Sequence, residues 1–194
     1  MMMRIFRFAS VGAALLTLAT SQLLGAAFAQ TEPTPAAPKT ETFGSWSTTV
    51  DEVNTGEDVR KTCAASTVFF DANGTSGTLT LAISNGDVLP PEGYPSLIIA
   101  VKNSELPKGD NIPAVFRDVN DKIKAGFHLI ADGQWIVNNK RETTLAILRA
   151  MRRTSALDVS FADKPVATIS MDGFTKAYRY LGTSCGFPTG DVAP

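Results

Sequence analysis

Two cysteines, Cys63 and Cys185, and a lone histidine, His128, are the only side chains of this 194-residue chain suited to soft nucleophilic or near-neutral proton chemistry. A structural metal site needs about four convergent ligands, and two thiols far apart in sequence with one imidazole make a poor set. A histidine acting as general base needs a nucleophile within hydrogen-bond reach. His128 sits in "AGFHLIA" and alternates with Phe127 and Leu129, which turns it to solvent or to the other side of a sheet. No phosphate-cradling glycine loop or zinc-binding helix occurs. The carboxylate pairs Asp51-Glu52 and Glu57-Asp58 flank Asn54-Thr55-Gly56. They lack the spacing of a calcium loop and read as a solvated acidic turn. Asn73-Gly74-Thr75 fits a glycosylation acceptor, and equally an ordinary glycine turn. The expectation is a protein that is not an enzyme, with no catalytic residues, no metal and no cofactor.

One charge cluster stands out. Lys140, Arg141, Arg149, Arg152 and Arg153 fall in a short stretch of a chain whose net charge is −1. Such a patch could meet an anionic partner, such as lipid phosphates or an acidic protein face. The competing reading is a solvated helix face whose last cations complement the helix C-terminus. A chain without basic excess gives no reason to expect nucleic acid as a partner.

The first 29 residues decide where the cysteines end up. Arg4 and Arg7 precede an apolar run from Val11 to Leu24, and Ala27-Phe28-Ala29 offers small residues at the positions a signal peptidase reads. This is the order of a cleaved secretory signal peptide over residues 1–29. The run is shorter than the about 20 apolar residues that a spanning helix needs, so no transmembrane segment is expected in the mature protein. Export places Cys63 and Cys185 where disulfides persist, and two cysteines allow a single intramolecular pairing. Two free thiols or an intermolecular bridge are the alternatives. Residues 30–42, "QTEPTPAAPKTET", read as a proline-rich disordered linker. Residues 43–187 suit one globular domain, followed by a tail over 188–194.

The elements that must position these residues are mostly strands. Trp46, Thr48 and Val50 alternate with smaller polar residues, as do Leu79, Leu81 and Ile83 further on, the period of a half-buried strand. "CAASTVFF" and "SLIIAVKN" are further strands, the second almost wholly apolar and therefore central. Ala125, Phe127 and Leu129 alternate before Asp132-Gly133, a hairpin turn, and "QWIV". In "RETTLAILRAMRRTS" the period changes. Leu145, Leu148 and Met151, with Ile147 beside them, form a helical stripe opposite Arg149 and Arg153. A hairpin turning at Asp163-Lys164-Pro165 follows. A last helix then buries Phe174, Ala177, Tyr178 and Leu181; Ser170 or Asp172 is its expected cap and Gly182 its expected stop. The fold class is α+β, mainly antiparallel, with a sandwich-like or barrel-like sheet and two short C-terminal helices flanking a β-hairpin.

The unit "LAILRAMRRTSALDVSFADKPVATISMDGFTKAYRYL" resembles the C-terminal signature of the invasion-associated locus B family. There a leucine-rich helix runs into a basic segment and a strand, and a second strand leads to a serine-x-x-glycine-phenylalanine helix start. Ser170, Gly173 and Phe174 match that start, and "FGSWSTTV" followed by Cys63 resembles the family's opening tryptophan strand and cysteine. The chain departs from the pattern as well: Thr48, Thr49 and "IVNNKR" stand where members often carry cysteines, so the resemblance is to a divergent member. The resemblance implies an exported Gram-negative bacterial protein, some members being linked to host-cell invasion, and no agreed catalytic residues. The expected function is therefore a periplasmic or secreted non-enzymatic protein binding a macromolecular partner or the cell-envelope surface. The alternative is a periplasmic enzyme or enzyme inhibitor with a site in loops such as "NGDVLPPEGYP".

Overall fold

The computed structural model describes residues 37–54, 56–71, 73–102, 111–118, 122–130, 135–138, 140–161 and 164–194. The leader, the start of the linker and the Asp132-Gly133 turn lie outside them. Strand β1 (Lys39–Phe43) pairs antiparallel with β2 (Trp46–Asn54), and β2 with β3 (Val59–Phe70). Then come β4 (Ser76–Ser84), β5 (Ser96–Val101), β6 (Ile112–Arg117), β7 (Lys122–Ile130) and β8 (Trp135–Asn138). Helix α1 (Arg141–Arg153), the hairpin β9 (Ala156–Phe161) and β10 (Lys164–Ser170), and helix α2 (Phe174–Cys185) complete the order.

Alternation governs which side chains go inside. Trp46, Thr48 and Val50 of β2 are buried, as are Cys63, Ala65 and Phe69 of β3 and Leu79, Leu81 and Ile83 of β4. The apolar β5 lies between β4 and β8, the central place its composition called for. The ladder runs β1-β2-β3-β4-β5-β8-β7-β6-β9-β10. Strand β7 serves two sheets, since Lys122–Phe127 pair with β6 and His128–Ile130 with β8. The two sheets fold over one another so that β10 and α2 pack against β3. This is the antiparallel α+β architecture the strand pattern implied.

In α1 the buried residues are Thr144, Ile147, Leu148, Ala150 and Met151. Leu145, expected in the stripe, is only half-buried at its edge. In α2 the buried set is Phe174, Ala177, Tyr178, Leu181 and Gly182.

Four boundaries differ from the sequence reading. Lys39–Phe43, at the end of the stretch read as linker, is an edge strand. Four of its five residues are exposed, so it had no apolar pattern to show. Lys164 and Pro165 belong to β10 rather than to the turn, and Pro165 precedes a bulge on that edge strand, where its missing N–H costs little. Neither Ser170 nor Asp172 caps α2. Gly173 occupies that position in the left-handed conformation (φ 86°), and a Cβ there would run into the Phe43 carbonyl oxygen. Nor does Gly182 end α2. The helix continues to Cys185 and stops at Gly186, while Phe187 and Thr189 lie close enough to Gly182 that a Cβ would clash with them. Both α2 glycines were visible as glycines, but the close approaches that require them come from segments distant in sequence or beyond the helix.

Candidate functional site

Ser170, Gly173 and Phe174 meet the N-terminal tryptophan strand. The Trp46 indole nitrogen donates to the Ser170 carbonyl oxygen at 3.3 Å, and the Ser170 and Ser45 hydroxyls share a hydrogen bond of 3.0 Å. Ring centroids of Trp46 and Phe174 are 5.2 Å apart in an edge-to-face arrangement. The two stretches that carry the family resemblance are therefore one packed junction, and their side chains are spent on holding β2 to α2. Cys63 and Cys185 form a disulfide with Cα atoms 6.3 Å apart. It closes the same junction from the other end of α2. Among the described residues no cysteine is free.

The five cations lie on or beside α1, and all five are exposed. Three of them also reach acceptors of the protein itself. Arg141 Nε donates to the Pro91 carbonyl oxygen at 2.8 Å, and Arg149 Nε to that of Asp191 at 2.9 Å. Arg153 Nη2 is 3.3 Å from Asp118 Oδ2, pairing a guanidinium that is 45% exposed with a fully buried carboxylate. Lys140 stands at the N-terminal boundary of α1 and Arg152 in its last turn.

The acceptors of Arg149 and Arg141 belong to a cluster the sequence did not reveal. The tail read as residues 188–194 is packed, with Val192 and Ala193 each 1% exposed. The Tyr94 hydroxyl donates to the Asp191 carboxylate. Burial raises the Tyr94 phenol pKa to about 12, the Asp191 hydrogen bond and charge add to it, and Arg141 and Arg149 pull the other way. Tyr178, with no hydrogen-bond partner for its hydroxyl among the described residues, is raised further by burial and then by the Asp191 charge. From α2, Arg179 donates to the carbonyl oxygens of Ala193 and Pro194. Arg179, exposed on α2, is thus a clamp on the tail. Within "GFPTGDVAP" the only sign of this packing was the apolar pair Val192-Ala193, too short to show a period. The "LPPEGYP" loop, the alternative site, is drawn into the same cluster through Pro91 and Tyr94.

The other candidates stay apart. Strand β7 places His128 opposite Val137 of β8. Glu52 lies across from Lys61 (3.9 Å between charges), and Asp58 beside Arg60 (3.9 Å), so the acidic turn is partly neutralised by its own hairpin. Asp71 Oδ1 accepts the backbone amides of Asn73 (2.8 Å) and Thr75 (2.7 Å), holding the glycosylation-like triad in an exposed turn. An open groove of about 640 Å³ runs over the outer side of β6, β9 and β10, with Arg117, Asp158 and Thr168 among its lining residues. There Thr168 Oγ1 donates to Asp158 Oδ1 at 2.7 Å. Among the described residues no three histidine, cysteine or acidic side chains are placed to hold a metal ion. No described helix is long and apolar enough to cross a membrane.

No family model matches this chain, and no curated protein matches it. Among solved structures it is similar to the crystal structure of invasion associated protein B from Bartonella henselae, with a TM-score of 0.51 and 17% identity. The match covers 75% of this chain and 95% of that one. At this identity the likeness is one of fold.

Proposed function

We propose that this chain is an exported, non-enzymatic binding protein of the periplasm or the secreted fraction, a divergent relative of the invasion-associated locus B proteins. Its cationic α1 face engages an anionic macromolecule or the envelope surface. The observation that carries this reading is that Lys140, Arg141, Arg149, Arg152 and Arg153 all remain exposed, although three of them also bind groups of the protein itself. Exposed cations on a packed helix, three of them anchored, offer anionic groups a site whose attraction weakens with salt. The fold shared with invasion associated protein B and the disulfide, which persists in oxidising compartments, support export.

Co-sedimentation with phosphatidylglycerol vesicles and with phosphatidylcholine vesicles tests the reading. Retention on the anionic vesicles alone, reduced by salt and by the Lys140→Gln/Arg152→Gln pair, is the expected result. Equal behaviour on both vesicles, or binding indifferent to that pair, would remove the cationic face from the account.

A further inference from the structure

The outer side of β1–β5 has an unusual composition. Side chains pointing away from the core there include Thr40 and Thr42 of β1, Ser47 and Thr49 of β2, Ala64 and Ser66 of β3, Thr78, Thr80 and Ala82 of β4, and Ile98 and Ala100 of β5. The pairing aligns them in rows. One row reads Thr42–Ser47–Ser66–Thr80–Ile98, and the next Thr40–Thr49–Ala64–Ala82–Ser96. Neither row holds a charge, in a chain with 19% charged residues. Charges appear at the ends, with Asp51 and Arg60 towards the hairpin tip, and Asp71 and Lys102 at the far ends of β3 and β5. A solvated sheet face ordinarily carries Lys and Glu on its outward positions, and charged outward positions also guard a sheet against association.

We propose that this face is an interface between two copies of the chain, packed sheet on sheet about a two-fold axis. Three observations favour a second copy over another occupant. First, a two-fold interface sets a surface against itself, so any net charge on it repels, and an uncharged face is the composition that self-docking tolerates. Second, four of its hydroxyls already serve one another. Ser66 and Thr80 share a hydrogen bond of 2.8 Å, and Thr62 and Ser84 one of 3.2 Å. Burying a hydroxyl costs little when its partner is buried with it, whereas a glycan would need those same groups free to bind sugar hydroxyls. Third, Val68 stands out at one end of β3, 60% exposed, as an apolar anchor that a second sheet would cover, while Phe70 beyond it turns to the groove over β6, β9 and β10.

The dimensions suffice for a modest dimer. Five strands about 4.8 Å apart, and about seven residues at 3.4 Å each along β3, outline roughly 20 by 24 Å, on the order of 500 Å² per copy. That is about 1,000 Å² in total, the lower limit for a specific interface. The association is therefore reversible and concentration-dependent.

Sedimentation velocity of the purified protein over a hundredfold range of concentration tests the proposal. The wild type should pass from monomer to dimer, and Thr80→Lys should weaken association at least tenfold by setting two cations against each other. Thr49→Glu, on a neighbouring strand, should do the same if Thr80→Lys disturbs folding, which circular dichroism will show. Lys176→Glu on α2 should leave the dimer unchanged. A wild type that is monomeric throughout, including one that instead binds a neutral polysaccharide such as dextran, would overturn the proposal. So would a dimer that survives both charge insertions.

Discussion

Helices α1 and α2 have nearly the same length, 13 and 12 residues, and each buries an apolar stripe in the same core, yet their exposed sides differ in kind. Part of the accessible side of α2 is occupied by its own protein, although Lys176 and Thr183 stay exposed. Arg179 holds the tail carbonyls, Gly182 receives Phe187 and Thr189, and Cys185 bonds to Cys63. On α1 the arginines also touch internal acceptors, but their charges remain at the surface, and Lys140 and Arg152 extend the row. A helix whose guanidinium, glycine and cysteine are all engaged by its own protein is a structural seal. One that keeps a row of exposed cations, some fixed by carbonyls and a buried carboxylate, is suited to present charge.

The largest expected effect falls on α2. Replacing both cysteines with serine should lower stability by about 4 to 5 kcal/mol in urea unfolding, because the bridge closes a 122-residue separation. An unchanged midpoint would mean the clasp does not constrain the unfolded chain. Phe174→Ala, which removes the ring packed on Trp46, should cost about 3 to 5 kcal/mol. Leu148→Ala in α1 should cost about 2 to 5 kcal/mol by the same cavity argument. If only one of these changes is costly, the two helices are not packed into a common core.

The contrast can be sharpened within α1 itself. Arg153→Gln takes a guanidinium from the buried Asp118 and should cost about 1 to 3 kcal/mol. Arg152→Gln should change stability by less than about 0.5 kcal/mol. Equal costs would contradict the division between anchored and presenting arginines.

Alkaline titration probes the cluster between the helices. Tyr94 stays protonated in the fold up to about 12, while in the unfolded chain it ionises near 10. Its contribution is complete below pH 10 and is lost as pH rises towards 12; Tyr178 acts in the same direction. The fall in stability over that window should be shallower in Tyr94→Phe. An identical slope would mean that Tyr94 is solvated.

Periodicity made the core strands and both helix stripes legible, because burial of one face writes itself into every second or fourth residue. The Cys63–Cys185 bridge was the one intramolecular pairing that two cysteines allow. Other features depend on contacts that no local pattern records. Gly173 is required by Phe43, far away in sequence. The edge strand β1 buries almost nothing, and the tail is held by Tyr94, Arg149 and Arg179 rather than by its own composition. The cationic cluster was visible as residue types, but which arginines are tied to the protein's own groups depends on the tertiary positions of Pro91, Asp118 and Asp191.

The division of labour between the helices is tested most directly by envelope binding of two variants side by side. One carries Lys140→Gln and Arg152→Gln on α1, the other Lys176→Gln on α2, and retention on isolated envelope fractions is measured at low and physiological salt. The α1 variant should lose most of the salt-sensitive binding while the α2 variant keeps it. Binding lost with the α2 change and kept without the α1 pair would contradict the account.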